Sequence, residues 1–178
     1  MTPDLYSLPH KALRVAVNRA GTLLAATDEQ RLDADLTVVR GVIDDVRAHG
    51  AHEDEFIHPL LMTVAPDLEA ELAQQHRDLE SRLAELERHM ERLAGSAEVS
   101  SAELALVSRA FQRYTAANLW HLDIEESLVM PTLWRSVTGS VLADLLARFH
   151  AAHPEAGAIY RRWPDALSPT DRQLVGVA

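Results

Sequence analysis

The chain has 178 residues, which is long enough for a single domain with a substantial apolar core. It contains no cysteine, so disulfides, thiolate nucleophiles and iron–sulfur clusters are excluded, and any metal must be held by nitrogen and oxygen atoms. The net charge of −10, from 27 acidic and 17 basic residues, argues against nucleic acid or an anionic membrane surface as the main partner.

Neither a secretion signal nor a membrane span is evident in the sequence. Met1 to Asp4 carries no basic segment followed by an apolar core, and no apolar run approaches the ~20 residues that a membrane helix requires. We therefore expect a soluble cytoplasmic protein.

Apolar residues at alternating steps of three and four predict two long helices in the first part of the chain. The first runs from about Asp4 to Ala26, and His10 lies on its apolar stripe. Thr27-Asp28 offers an N-cap for the second, which continues to the break at Ala65-Pro66. A bend is expected near its end, because Pro59 has no backbone N–H to donate.

Two more helices follow with the same spacing. Leucines from Leu72 to Leu93 mark the third, which ends at Gly95-Ser96. Ser100 or Ser101 with Glu103 predicts the start of the fourth, and its apolar stripe continues to Pro131. A shorter amphipathic segment, from Gly139 to His153, predicts an additional C-terminal helix.

These elements predict an all-α fold. Four helices of roughly 20 to 35 residues joined by short turns are typical of an up-down-up-down four-helix bundle, an architecture that builds metal sites from facing side chains. Strand patterns are missing from the sequence. We expect residues 1–136 to form the bundle and residues 137–178 to form a helical extension packed on it.

A histidine is followed four residues later by a glutamate three times, each time within a predicted helix: His49 and Glu53, His76 and Glu80, His121 and Glu125. Positions i and i+4 lie ~40° apart on a helix, so each pair can direct an imidazole and a carboxylate to one point. His10 adds a fourth histidine on a fourth helix. Seven such groups facing a bundle interior need a ligand to satisfy them, which predicts a metal site.

Other residues could replace single members of this set. His52 lies three residues after His49 and could bind in its place, although it lacks a carboxylate four residues later. A π-bulge would turn Glu126 rather than Glu125 inward. Glu80 flanks its apolar stripe, so a solvent-facing or supporting role is an alternative to metal binding.

Four further histidines fall outside the predicted set: His58, His89, His150 and His153. His58 is expected at the end of the bundle. His150 and His153, three residues apart, could at most form a weak surface site.

The four segments, in this order and each on its own helix, resemble the hemerythrin-like family of histidine–histidine–glutamate cation-binding proteins. The resemblance extends over roughly Leu5 to Arg135, and it is carried by four stretches: His10–Arg14, His49–Leu61, His76–Glu80 and His121–Leu128. It implies a four-helix bundle that holds an oxo- or hydroxo-bridged di-iron centre.

The resemblance also implies a role for each ligand. Two histidines would bind each iron, His10 with His49 and His76 with His121, and two carboxylates would bridge the ions, Glu53 and Glu125. Manganese or zinc would fit the same nitrogen and oxygen atoms.

Glu80 departs from the oxygen-carrying members of that family, which have a second histidine at the matching position. A third carboxylate resembles members linked to iron sensing, oxygen sensing or redox chemistry. An extra anionic oxygen ligand stabilises ferric iron, so we expect a lower reduction potential than in a five-histidine centre and less reversible dioxygen binding.

The function implied is a non-haem di-iron protein that binds or senses dioxygen or another small oxidant. A di-iron enzyme, such as a peroxidase, a catalase-like protein or an oxidase, is one alternative, and a metal-free helical adaptor is another. No Ser–His–Asp arrangement, phosphate loop or dinucleotide motif appears, and the sequence assigns no catalytic residue and no protein partner.

Overall fold

The computed structural model describes residues 2–96 and 98–176. Within those ranges the chain is helical and contains no strand, so the predicted all-α fold is confirmed. The described α-helices are α1 Ser7–Ala26, α2 Leu32–Phe56, α3 His58–Val64, α4 Pro66–Ala94, α5 Ser101–Ile124, α6 Met130–Ser136, α7 Gly139–Ala152, α8 Ala158–Arg162 and α9 Pro169–Val175.

The four long helices α1, α2, α4 and α5 form the bundle. Helix α1 packs against α2 and α5, and α4 packs against α5 and α2. Each long helix therefore lies beside the next long helix along the chain, and the last returns to the first, as in a bundle whose helices alternate in direction.

The interior contains two apolar clusters. The larger one joins all four long helices and includes Leu13, Leu36, Leu86 and Phe111. The smaller one lies toward the other end of the bundle and includes Tyr6, Ile57, Leu72 and Val129. Burial of these side chains supplies most of the driving force for folding, at about 25 cal/mol per Å² of apolar surface.

Six polar side chains lie between the two clusters, and we name them the polar layer: His10, His49, Glu53, His76, His121 and Glu125. On α1, His10 comes between Tyr6 of the smaller cluster and Leu13 of the larger one. On α4, His76 comes between Leu72 and Leu83 in the same way. The polar layer therefore crosses the bundle with apolar packing on both sides.

The start of α2 and the expected bend near Pro59 differ from the prediction. Helix α2 begins at Leu32, because the Asp28 carboxylate accepts the backbone N–H groups of Gln30 and Arg31 in a separate turn before it. Near Pro59 the helix breaks instead of bending: α2 ends at Phe56, and the proline lies in the first turn of α3. A proline is tolerated there because the N–H groups of a first turn have no partner within the helix.

The start of α5 is confirmed, but its predicted end at Pro131 is wrong. Ser100 and Glu103 form a reciprocal capping box at the start of the helix. At the other end the chain continues through a π-helical turn, Glu125–Val129, into α6. The Met130 N–H donates to the Glu125 carbonyl, and Pro131 follows in the first turn of α6.

The C-terminal segments pack on α1 and α2. Helix α7, predicted from Gly139 to His153, contacts α2, while α8 and the 3₁₀ turn Pro164–Ala166 contact α1. The buried Asp45 of α2 accepts a hydrogen bond from Trp163 Nε1 at 3.2 Å and pairs with Arg162. Residues after α7 are thus tied to the bundle by polar contacts as well as apolar ones.

No helix among residues 2–96 and 98–176 is both long enough and apolar enough to cross a membrane.

Candidate metal centre

The polar layer divides into two overlapping groups of four side chains. One group contains His10 and His49, the other contains His76 and His121, and both share Glu53 and Glu125. Within each group the candidate ligand atoms all lie within 4.8 Å of one another. Four helices contribute, so the groups exist only in the folded bundle.

Each shared carboxylate offers one oxygen to each histidine pair. Glu53 Oε1 lies 2.9 Å from His49 Nε2, while its Oε2 lies 3.5 Å from His76 Nε2. Glu125 Oε2 lies 3.4 Å from His10 Nε2, while its Oε1 lies 3.2 Å from His121 Nε2. This is the arrangement that a carboxylate needs in order to bridge two cations.

The histidines of each pair face one another through their Nε2 atoms. His10 Nε2 is 3.1 Å from His49 Nε2, and His76 Nε2 is 3.1 Å from His121 Nε2. One proton between two such nitrogens would give a single hydrogen bond, whereas a cation beside them can accept both lone pairs together with a carboxylate oxygen.

The carboxylates are buried without hydrogen bonds. Glu53 is 2% exposed and Glu125 is fully buried, and none of their four oxygens has a hydrogen-bond partner among the described residues. The short contact from His49 Nε2 to Glu53 Oε1 lacks hydrogen-bond geometry. Buried polar atoms without hydrogen bonds cost free energy, so these residues fit a cationic ligand such as a pair of divalent metal ions.

The two carboxyl groups differ in their pKa values. Burial and the nearby charge of Glu53 raise the pKa of Glu125 well above its usual range. Burial also acts on Glu53, but His49, His10 and His76 outweigh it and hold the pKa of Glu53 well below its usual range. A cation bound between them would therefore release the proton that Glu125 holds.

The histidines also differ. Burial lowers the pKa of His76, but Glu53 and Asp54 outweigh it and raise that pKa to about 9. Burial lowers the pKa of His121 to about 4, with a further contribution from the neighbouring His76. His121 is therefore ready to offer a neutral imidazole, while His76 must give up a proton to bind a metal.

Three of the imidazoles are held from outside through Nδ1. His10 donates to Glu126 at 2.9 Å, His76 to Asp54 at 2.9 Å and His121 to Gln75 at 2.8 Å. A proton on Nδ1 leaves the Nε2 lone pair directed at the polar layer, which is the usual way that proteins orient histidine ligands.

Sequence reasoning did not find most of these outer partners. Asp54 and Gln75 reach histidines on other helices, 22 and 46 residues away, so no local spacing reveals them. Arg14, which holds Glu126 at 2.6 and 3.1 Å, lies one turn after His10, and that spacing is the one sequence signal available.

Two alternatives that the sequence left open are distinguished by position. Glu125 lies in the polar layer, whereas Glu126 contacts the outer nitrogen of His10. His49 lies in the layer, whereas the ring of His52 packs against Phe149. A π-helical turn is present, but it begins at Glu125 and leaves that residue facing inward.

Glu80 is not brought to the polar layer, which corrects the expectation that it binds a metal. Its side chain is 55% exposed, and its carboxylate pairs with Arg47 at 2.7 and 3.0 Å. Arg47 also binds Glu87, so the carboxylate joins a surface ion-pair network instead of the buried groups. The expected low reduction potential rested on a third carboxylate ligand, and this placement removes its basis.

A cavity of about 700 Å³ leads to the polar layer from the side of α2 and α4. His49, Glu53, His76 and His121 form its inner wall, and Arg47 and Glu80 also line it. Leu13, Leu83 and Tyr114 of the larger apolar cluster also line the cavity, which reaches the candidate ligands from the side of the bundle.

A family model described as the hemerythrin HHE cation binding domain matches residues 67–168, which is more than half of the chain. The chain therefore belongs to the hemerythrin HHE family, and the predicted family is confirmed. The match includes His76, His121 and Glu125, while His10, His49 and Glu53 precede it. No significant match was found among curated proteins or among solved structures. The family and the clustered ligands together define a helical cation-binding protein.

Proposed function

We propose that this protein is a non-haem di-iron protein that binds or senses dioxygen or a related small oxidant. The observation that carries the proposal is the placement of Glu53 and Glu125, each of which offers one oxygen to each histidine pair. His10 and His49 would hold one iron, and His76 and His121 the other. Bound iron would supply the electrons that a small oxidant accepts.

The remaining residues would orient the ligands and limit the access of water. Glu126, Asp54 and Gln75 fix the imidazoles through Nδ1. The apolar clusters pack on both sides of the layer, and an oxidant would enter through the lateral cavity.

The charge of the site supports reversible binding better than the sequence suggested. With Glu80 held by Arg47, the protein supplies two carboxylates instead of three to a pair of divalent ions. Less negative charge stabilises the ferric state less, so the reason for expecting poor reversibility no longer applies.

Anaerobic reconstitution tests the proposal. Metal-free protein is loaded with ferrous iron, iron is counted per chain, and optical spectra are recorded on adding oxygen and again after removing it. We expect two irons per chain and an oxygen-dependent spectrum that reverts. A folded protein that takes up manganese or zinc but no iron under the same conditions would overturn the choice of metal.

The lateral cavity favours a second candidate, a di-iron enzyme of the peroxidase, catalase-like or oxidase type. Its volume of about 700 Å³ is far larger than a diatomic gas requires and is typical of sites for small organic molecules. Small side chains such as Gly50 and Ala73 line it together with polar ones such as Asn118. A substrate could therefore approach the polar layer closely.

Narrowing the cavity distinguishes the two candidates. Ala73→Phe should slow oxidation of an organic reductant by peroxide while leaving iron content and the oxygen-dependent spectrum unchanged. Ala70→Phe, at an exposed position on the same helix, is the matched control. Equal rates in wild type, Ala73→Phe and Ala70→Phe would remove the argument for an organic substrate in this cavity.

The metal-free adaptor is the weakest alternative, because it leaves four buried carboxylate oxygens without partners in the described structure. Elemental analysis of protein purified without chelators tests it directly: an adaptor would contain no stoichiometric metal.

A further inference from the structure

A second group of histidine and glutamate side chains lies where the C-terminal segment meets α2. We name it the peripheral cluster: His52, His153 and Glu155. Their candidate ligand atoms lie within 4.8 Å of one another. The sequence suggested only a weak site of His150 with His153, but the structure instead brings His153 to His52, about 100 residues earlier in the chain.

The two imidazoles are held by aromatic packing. The ring centroids of His52 and His153 are 4.4 Å apart, and Phe149 lies 5.1 Å from the first and 5.6 Å from the second. Phe56 packs against both Phe149 and His153. Side chains fixed in this way lose little conformational entropy when they bind an ion.

Both nitrogens of His153 face a carboxylate. Glu155 Oε1 lies 3.2 Å from Nδ1, and Glu55 Oε2 lies 3.1 Å from Nε2. If Nδ1 binds a cation together with Glu155, the Nε2 proton remains hydrogen-bonded to Glu55. A carboxylate behind a histidine ligand orients the ring and increases its basicity.

The peripheral cluster is separate from the polar layer. His52 lies between His49 and Glu53 in sequence, but helical geometry turns it about 80° away from their mean direction. It is half-buried and Glu155 is exposed, so solvent can reach the cluster. An ion bound at the peripheral cluster would therefore occupy a different site from any metal ion held by the polar layer.

We propose that the peripheral cluster binds a divalent transition-metal ion of the zinc class and thereby clamps the C-terminal segment onto α2. Two imidazoles and one carboxylate form a nitrogen and oxygen ligand set that zinc accepts with an open fourth position for water. Because the ligands come from distant parts of the chain, the ion binds the folded protein and stabilises it.

Calorimetric titration of the full-length protein with Zn²⁺, after the central site has been loaded with iron, tests this proposal. We expect one zinc ion per chain in wild type, none in His153→Ala, and one in His150→Ala, an exposed histidine on the neighbouring turn. Iron released into solution is measured in the same sample, which separates exchange at the central site from additional binding. Equal zinc stoichiometry and affinity in His153→Ala and His150→Ala overturn the proposal.

Two more variants make the result independent of folding defects and of the central metal. Glu155→Gln changes shape little and should weaken zinc binding at least tenfold with an unchanged circular dichroism spectrum. In a Glu53→Gln background without iron, adding His153→Ala should still remove one zinc ion per chain. That difference is expected whether or not the central site is a di-iron centre, and its absence counts against the peripheral site alone.

Discussion

Glu53 and Glu80 each follow a histidine by four residues and line the same cavity, yet their surroundings are opposite. Glu53 is 2% exposed and has no hydrogen-bond partner within the described ranges, whereas the Glu80 side chain is 55% exposed and pairs with Arg47. Helical spacing places a carboxylate near the preceding histidine on the helix face, but burial and the nearest cation decide what it binds. Burial of oxygens without hydrogen-bond partners, more than spacing, marks the candidate metal ligand here.

The largest expected effect is on metal binding when Glu53 is neutralised. Glu53→Gln keeps the shape of the side chain but removes the charge and one acceptor oxygen, so we expect iron affinity to fall by more than about 100-fold. Glu80→Gln is the matched control and should retain two irons per chain. Iron counting after gel filtration measures both, and loss of iron in Glu80→Gln would restore it as a ligand.

The next effect concerns the stability of the metal-free protein. Glu125→Leu replaces a buried, unpartnered carboxyl with an apolar side chain, so the free energy of unfolding should rise by about 1–3 kcal/mol. Urea denaturation of metal-free protein measures the change. Glu126→Leu is the control and should be destabilising, because it breaks the contacts to Arg14 and His10. A less stable Glu125→Leu would indicate that the polar layer is satisfied without metal.

A smaller effect is expected at the outer partner of His76. Asp54→Asn weakens the hydrogen bond that holds this imidazole, and we expect metal affinity to fall by roughly tenfold. Asp78→Asn, at an exposed position on α4, should leave affinity unchanged. Competition with a chromophoric chelator measures both variants, and equal affinities would mean that Asp54 does not orient the ligand.

The smallest effect lies in the surface network of Arg47. The hydrogen bond from Arg47 lowers the pKa of Glu87, so the pair stabilises the protein above the ordinary glutamate pKa and loses this contribution as pH falls. Glu87→Gln should cost about 0.5 kcal/mol near neutral pH. Under acid conditions, where Glu87 is protonated, wild type and variant should converge. Glu91→Gln, at an exposed position on the same helix, is the control. Thermal unfolding of all three proteins, near neutral pH and under acid conditions, measures the effect.

The fold was largely predictable because apolar periodicity is a local property of the chain. The capping box of Ser100 and Glu103 was also readable, since both partners lie within one turn. The errors arose where local rules compete. Asp28 can cap a helix or close a turn, and Pro131 can end a helix or lie in the first turn of the next one.

The site was predictable in part for the same reason. Six of the seven residues selected from the sequence lie together, because five are on the inward stripes of the long helices and Glu125 faces inward at the start of the π-helical turn that follows α5. Glu80 could not be resolved, since its partner Arg47 is 33 residues away on another helix. The contact of His52 with His153 depends on how α7 packs against α2, which no spacing reveals.

The π-helical turn at Glu125–Val129 makes this segment unusually tolerant of the loss of one residue. A turn closed by i→i+5 hydrogen bonds contains one residue more than an α-helical turn between the same ends. Deleting Ser127 would therefore leave an ordinary α-helical turn between those ends and keep the direction of α6 relative to α5. Met130 and Leu133 would stay in the smaller apolar cluster, so this deletion should be far less damaging than one within α5, which would rotate the following residues by about 100°.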